Sequence, residues 1–182
     1  RGSGEFNLFD EKVAEPNQIL MDVVHRCYQE HIPFLGACYG HQLAALALGG
    51  EVSDDEAFRE TGSIEITKTP DAEKDLLFQN LPQKFYAQAG HKDTVVKLPP
   101  AGVLLAKSER CPIHAFKIAG TKMYAVQFHP ELDKEGLHHR ISYYQGYAEN
   151  KEHIAKILAS AKDTHEASRL TRHFVDCVIL GN

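Results

Sequence analysis

The chain contains no tryptophan and only two methionines among its 182 residues. It also lacks any apolar run near the ~20 residues that a membrane-crossing helix requires, so no membrane span is expected. No long run of lysine or arginine occurs, and the formal net charge is -5, which argues against nucleic acid as a partner. No charged-then-apolar leader opens the sequence, and the four cysteines, Cys27, Cys38, Cys111 and Cys177, match no compact disulfide framework. Both absences favour a reducing cytoplasm. There is no Gly-x-x-x-x-Gly-Lys-Ser/Thr phosphate loop, no internal repeat and no low-complexity linker.

Metal ligation needs separate treatment, because the chain has eleven histidines. The nearest candidates are Cys111-Pro112-Ile113-His114 and His138-His139. Neither has the spaced partner pair of a zinc site, so no metal is expected. What remains is ordinary: 43% hydrophobic and 25% charged residues. That composition and length predict one domain over 1–182 with a substantial core.

Local pattern places the elements. Ile19, Leu20, Val23, Val24 and Cys27 recur at helical spacing within Glu15–Gln29. His31-Ile32-Pro33 breaks that helix and opens a strand ending near Gly36. A second helix is expected over His41–Leu48, stopped by Gly49-Gly50. This helix, strand, turn, helix order is α/β grammar and predicts a parallel sheet. Strands are expected at Ser63–Thr67, Phe85–Ala87, Thr94–Lys97, Val103–Ala106, His114–Ile118 and Lys122–Phe128, separated by proline and glycine turns. Helices are expected over Lys134–Tyr147, Lys151–Ala161 and His165–Leu180. The opening Arg1-Gly2-Ser3-Gly4-Glu5-Phe6 reads either as a native loop or as a cloning scar.

Two segments bear chemistry. In Pro33-Phe34-Leu35-Gly36-Ala37-Cys38-Tyr39-Gly40-His41-Gln42, a cysteine bracketed by glycines stands between a strand and a helix. A helix N-terminus favours an anion, and thiolate is the nucleophilic form of cysteine. The setting is that of a nucleophile elbow, with the Tyr39 N–H beside the thiol as an oxyanion donor. The plain alternative is a small buried hydrophobe, which Cys27, Cys111 and Cys177 are expected to be. The second segment is Val126-Gln127-Phe128-His129-Pro130-Glu131. Here His129 ends a strand, and an extended His-Pro-Glu would turn residues 129 and 131 to one side. Glu131 could then orient the imidazole while its other nitrogen serves Cys38. Alone, this segment reads as a strand-terminal turn with a solvated glutamate.

Taken together, Gly-x-Cys-x-Gly-x-Gln followed far downstream by His-Pro-Glu resembles the class I, triad-type glutamine amidotransferases. Within that family the likeness is to the amidotransferase domains of GMP synthases. It runs from about Ile32 to the final helix and includes Gly90-His91-Lys92-Asp93-Thr94-Val95. By itself His91 reads as a satisfied loop histidine. The resemblance implies an α/β fold: a three-layer flavodoxin-like sheet with helices on both faces, lacking its N-terminal strands in this chain. It implies Cys38 as nucleophile, His129 as general acid/base and Glu131 as its orienting group. Gln42 matches the glutamine-binding position, Tyr39 supplies one backbone oxyanion donor, and Gly2 or Ser3 is the match for the second. The implied substrate is L-glutamine, hydrolysed through a cysteinyl thioester without cofactor or metal, with ammonia passed to a synthetase domain or separate synthetase chain. The alternatives are a γ-glutamyl peptidase using the same triad on γ-glutamyl compounds, or a non-catalytic relative.

Overall fold

The computed structural model describes residues 7–143 and 151–181. Gly2 and Ser3, the rest of the opening hexapeptide, and the stretch of the expected third helix beyond Tyr143 lie outside the described residues. Helix α1 spans Ala14–Gln29, strand β1 Phe34–Ala37 and helix α2 Tyr39–Ala47. Seven more strands follow: β2 Glu51–Ser53, β3 Glu60–Lys68, β4 Lys84–His91, β5 Thr94–Lys97, β6 Gly102–Lys107, β7 Ala115–Ile118 and β8 Met123–Val126. The C-terminal part comprises α3 Lys134–Tyr143, α4 Lys151–Ala159, α5 His165–Ser168, α6 Leu170–His173 and a π-helical turn over Phe174–Ile179. The expected last helix is therefore broken into short pieces.

Six strands form one sheet in the order β1-β8-β7-β6-β3-β4, and β2 with β5 forms a separate antiparallel ribbon. Only β1 and β8 pair in parallel, Phe34 opposite Met123 and Ala37 opposite Val126. All other ladders of the large sheet are antiparallel, which corrects the expectation of a parallel sheet. The cause is connection length. The short links between β6, β7 and β8 cannot carry a crossover, whereas residues 38–122 separate β1 from β8.

The sheet is buried on both faces. Along β8, Tyr124 and Val126 join one apolar cluster and Met123 and Ala125 the other. The first cluster is completed by Phe78, Leu170 and Phe174, the second by Val24 of α1 and Ala44 and Ala45 of α2. This gives the expected three layers. α1 departs from expectation in one respect: of its periodic apolar residues Val24 is buried, while Ile19, Leu20 and Val23 are exposed. No described helix is long and apolar enough to cross a membrane.

Two features aim the functional segments. Gly36 lets α2 lie against β1: a Cβ there would stand 2.7 Å from the Gly40 carbonyl oxygen and 2.8 Å from its carbon. The parallel β1–β8 pair also puts Cys38 and His129 just beyond the carboxyl ends of adjacent strands, where α/β sheets gather their sites.

Candidate active site

Cys38 occupies the single-residue turn between β1 and α2, at φ 51° and ψ -104°. A side-chain-bearing residue rarely adopts a positive φ, and doing so costs about 1–3 kcal/mol. The surroundings impose it: the Cys38 N–H donates to the Val126 carbonyl at 2.8 Å, and its own carbonyl accepts from the His41 and Gln42 N–H groups at 3.0 and 3.2 Å. β8 thus holds the residue from behind while α2 begins on it. Because of that conformation, Cys38→Gly is expected to be more stable than Cys38→Ala by about 1 kcal/mol or more. That reverses the usual order, and denaturant titration of the two variants reads it directly.

The Cys38 side chain is nearly buried. Its sulfur lies 4.0 Å from the Gly90 carbonyl and 3.7 Å from Gln127 Nε2, which donates toward it. His129 is buried as well and is fixed through its backbone, whose N–H donates to the Gln88 carbonyl at 2.8 Å. Its Nδ1 bonds Glu131 Oε1 at 2.8 Å. Nε2 is buried and has no hydrogen-bond partner among the described residues. Burial alone would lower this imidazole's pKa, but the neighbouring Cys38 and Glu131 outweigh it and hold the value above the ordinary histidine range. The Glu131 carboxyl is shifted the other way. Burial would raise it, yet the bond to His129 and the Arg140 cation hold it below the ordinary range. The Glu131–His129 contact arises differently from the extended alternation expected. The chain turns at Pro130 and Glu131, closed by the Leu132 N–H donating to the His129 carbonyl at 3.1 Å, and the turn folds the carboxylate back onto the ring. Pro130, which cannot donate, suits that position.

The remaining expected residues sit around this pair. Tyr39 opens α2, so its N–H has no partner within the helix. Its hydroxyl donates to Asn17 Oδ1 at 2.6 Å, tying α1 to the elbow. Gln42, expected at the substrate position, is only 2% exposed. Its amide nitrogen donates to the Asp93 carbonyl at 2.6 Å and to Gln127 Oε1 at 3.3 Å. It therefore ties α2 to the Gly90–Thr94 stretch. A small cleft beside His129 is lined by Thr61, Ala89, Gly90, Leu132 and Arg140.

Sequence reasoning missed several contributors. Gln127 lies inside the motif that drew attention to His129, yet only the fold reveals its amide on the sulfur. Arg140 Nη1 lies 3.6 Å from Glu131 Oε1, a contact nearly two helical turns into α3 that no local pattern signals. Glu60, Cys111 and His114 were also missed as a group. Their ligand atoms and one from His91 all lie within 4.8 Å of one another, and all four residues are buried. Glu60 Oε2 is 2.8 Å from His114 Nε2 and 3.3 Å from His91 Nε2, and Ser108 Oγ donates to Oε1 at 2.7 Å. His91 therefore ends β4 as a buried, bonded residue rather than as a loop histidine. The missing partner pair for Cys111-x-x-His114 is supplied by β3 and β4, which are far away in sequence and adjacent in the sheet.

Known proteins match both the sequence and the fold. The family model for glutamine amidotransferase class-I matches residues 12–142. The glutamine-hydrolysing GMP synthase subunit of Methanocaldococcus jannaschii is 45% identical over 101 residues, covering 56% of this chain and 52% of that protein. The corresponding Thermococcus kodakarensis protein is 40% identical over 120 residues, covering 65% and 60%. The chain thus spans about half the length of the curated relatives it matches. Among solved structures, a glutamine amidotransferase from Thermotoga maritima superposes with a TM-score of 0.82 at 23% identity, covering 97% of this chain and 75% of that one. One from Methylobacillus flagellatus superposes at 0.73 with 22% identity, covering 100% and 73%. With a family match over most of its length, a fold shared with glutamine amidotransferases and a cysteine turn facing a histidine–glutamate pair, this chain belongs to the class I glutamine amidotransferase family.

Proposed function

We propose that the chain hydrolyses the side-chain amide of L-glutamine through a Cys38 thioester. The observation that carries this reading is the Cys38 elbow, with a buried His129 beside it whose far nitrogen bonds Glu131 at 2.8 Å. Cys38 Sγ attacks the amide carbon, and the carbonyl electrons move onto oxygen beside the Tyr39 N–H. His129 gives its Nε2 proton to the departing ammonia as the carbonyl re-forms. Water then attacks the thioester, His129 accepts its proton, and glutamate leaves with the sulfur regenerated. Glu131 holds the ring in one tautomer and offsets its charge, and Arg140 steadies the carboxylate. Gln42 supports the pocket wall through Asp93. Gly2 is the candidate for the second oxyanion donor.

The likeness to glutamine-hydrolysing GMP synthase subunits supports ammonia delivery to a synthetase partner. The test is acid quench of the chain with glutamine, followed by mass spectrometry of the peptide bearing Cys38. A γ-glutamyl adduct together with equal release of glutamate and ammonia is expected. Turnover of γ-glutamyl peptides with none of free glutamine would replace this reading by a peptidase.

A further inference from the structure

We propose that Glu60, His91, Cys111 and His114 form a structural site for a divalent ion of the zinc class, built into the sheet behind the nucleophile. Glu60 and His91 face each other across the β3–β4 ladder. His114 is held at the foot of β7 by its N–H donating to the Ala106 carbonyl at 2.8 Å. Cys111 is presented by the loop between β6 and β7, which is closed at both ends. There the Ser108 N–H donates to the Cys111 carbonyl and the Cys111 N–H to Ser108 Oγ, each at 2.9 Å. Three strands and one tight loop therefore bring four donors together without contributions from any exposed side chain.

The donor set is what such an ion prefers: two imidazoles, a thiol that becomes thiolate on binding, and a carboxylate. Zinc bonds of ~2.0–2.3 Å about one centre separate tetrahedral ligand atoms by about 3.3–3.8 Å. The observed Glu60 separations of 2.8 and 3.3 Å are near that, and the cluster's widest span of 4.8 Å needs to contract by about an ångström.

The hydrogen-bond pattern points the same way. His91 Nδ1 lies 3.2 Å from the Asp93 carbonyl, which only an Nδ1–H can satisfy. Thr94 Oγ1 stands at 3.2 Å from the same nitrogen and has its own acceptor in the Phe58 carbonyl, so it too can accept there. With a proton on Nδ1, the His91 Nε2 lone pair is aimed at the same space as Glu60 Oε2, 3.3 Å away. A cation there would bond both, and the Asp93 carbonyl would serve as the outer partner that a ligating histidine ordinarily has.

With four protein ligands no position is left for water or substrate, so the site is structural. Its place is still relevant to the reaction. His91 follows Gly90, whose carbonyl lies 4.0 Å from Cys38 Sγ, and precedes Asp93, whose carbonyl holds Gln42. The ion would pin the wall of the thiol pocket. Binding releases the Cys111 thiol proton to solvent, and no electron transfer is involved.

The test uses the whole chain carrying Cys27→Ser, Cys38→Ser and Cys177→Ser, which leaves Cys111 as its sole thiol. Produced in cobalt-supplemented medium, it is expected to retain about one cobalt per chain and to show a thiolate-to-cobalt charge-transfer band. Adding His114→Gln is expected to reduce cobalt content at least tenfold, in line with the loss of one ligand. A chain that folds without cobalt, or carries it without the thiolate band, overturns the proposal. So does cobalt content unchanged by His114→Gln. The outcome is independent of whether glutamine is the substrate.

Discussion

Cys38→Ala is expected to lower glutamine hydrolysis by about 10⁶-fold, measured as glutamate release under saturating substrate. The size follows from what is removed. Without the sulfur no thioester forms, and nothing else described near the site can take its place: the neighbouring groups are an amide, an imidazole, and the backbone of Tyr39 and Gly90. Alanine keeps the elbow's backbone and removes only one atom beyond Cβ, so the fold is retained. The variant should therefore still bind glutamine, now without turning it over. Calorimetric titration separates the two quantities, and residual activity within tenfold of the parent would sink the assignment of Cys38 as nucleophile.

The second large effect falls on His129. His129→Asn is expected to reduce turnover about 10²–10⁴-fold, the range for loss of a positioned general acid and base. Glu131→Gln should cost less, because the amide can still accept from Nδ1–H while no longer offsetting the ring's charge. It should also change the pH profile in a defined sense. The carboxylate helps hold the His129 pKa up, so its removal lowers that pKa. The alkaline limit of the charged imidazole then moves to lower pH, read from the His129 ring resonances in an NMR pH titration.

The stability contribution has a matching window. His129, with its pKa raised on folding, contributes stability that is complete below the ordinary histidine value and is lost as pH rises through the raised one. Glu131, with its pKa depressed, contributes above the ordinary glutamate value and loses that contribution as pH falls through the depressed one. Together they favour the folded state most between the ordinary glutamate and histidine values, at mildly acidic pH. An alkaline limit that Glu131→Gln leaves in place would show that the carboxylate does not act through the ring.

Much of this was legible in the chain alone. The glycines around Cys38 record a tight turn and a helix packed close behind it. The continuous apolar run from Met123 to Val126 records a strand buried on both faces. The His-Pro-Glu sequence places a carboxylate near an imidazole by local geometry, even though the local geometry is a turn. These are short-range facts, settled by sterics and by residues a few positions apart.

What sequence alone left open depends on partners that no short-range rule reveals. The α1 periodicity is real, yet which of its residues are covered depends on where the sheet lies, and Ile19, Leu20 and Val23 remain exposed. Strand direction in the sheet was decided by link lengths acting together over the whole domain. Gln42 carries its amide to Asp93 because the Gly90–Thr94 stretch passes there. Cys111-Pro112-Ile113-His114 lacked a partner pair until β3 and β4 brought Glu60 and His91 against it. The sequence by itself singled out the proposed nucleophile, Cys38, and the proposed acid/base, His129, because each sits in a motif whose backbone geometry is local. Only the tertiary structure decided which groups surround them, because burial and hydrogen bonding there are made between strands more than twenty residues apart.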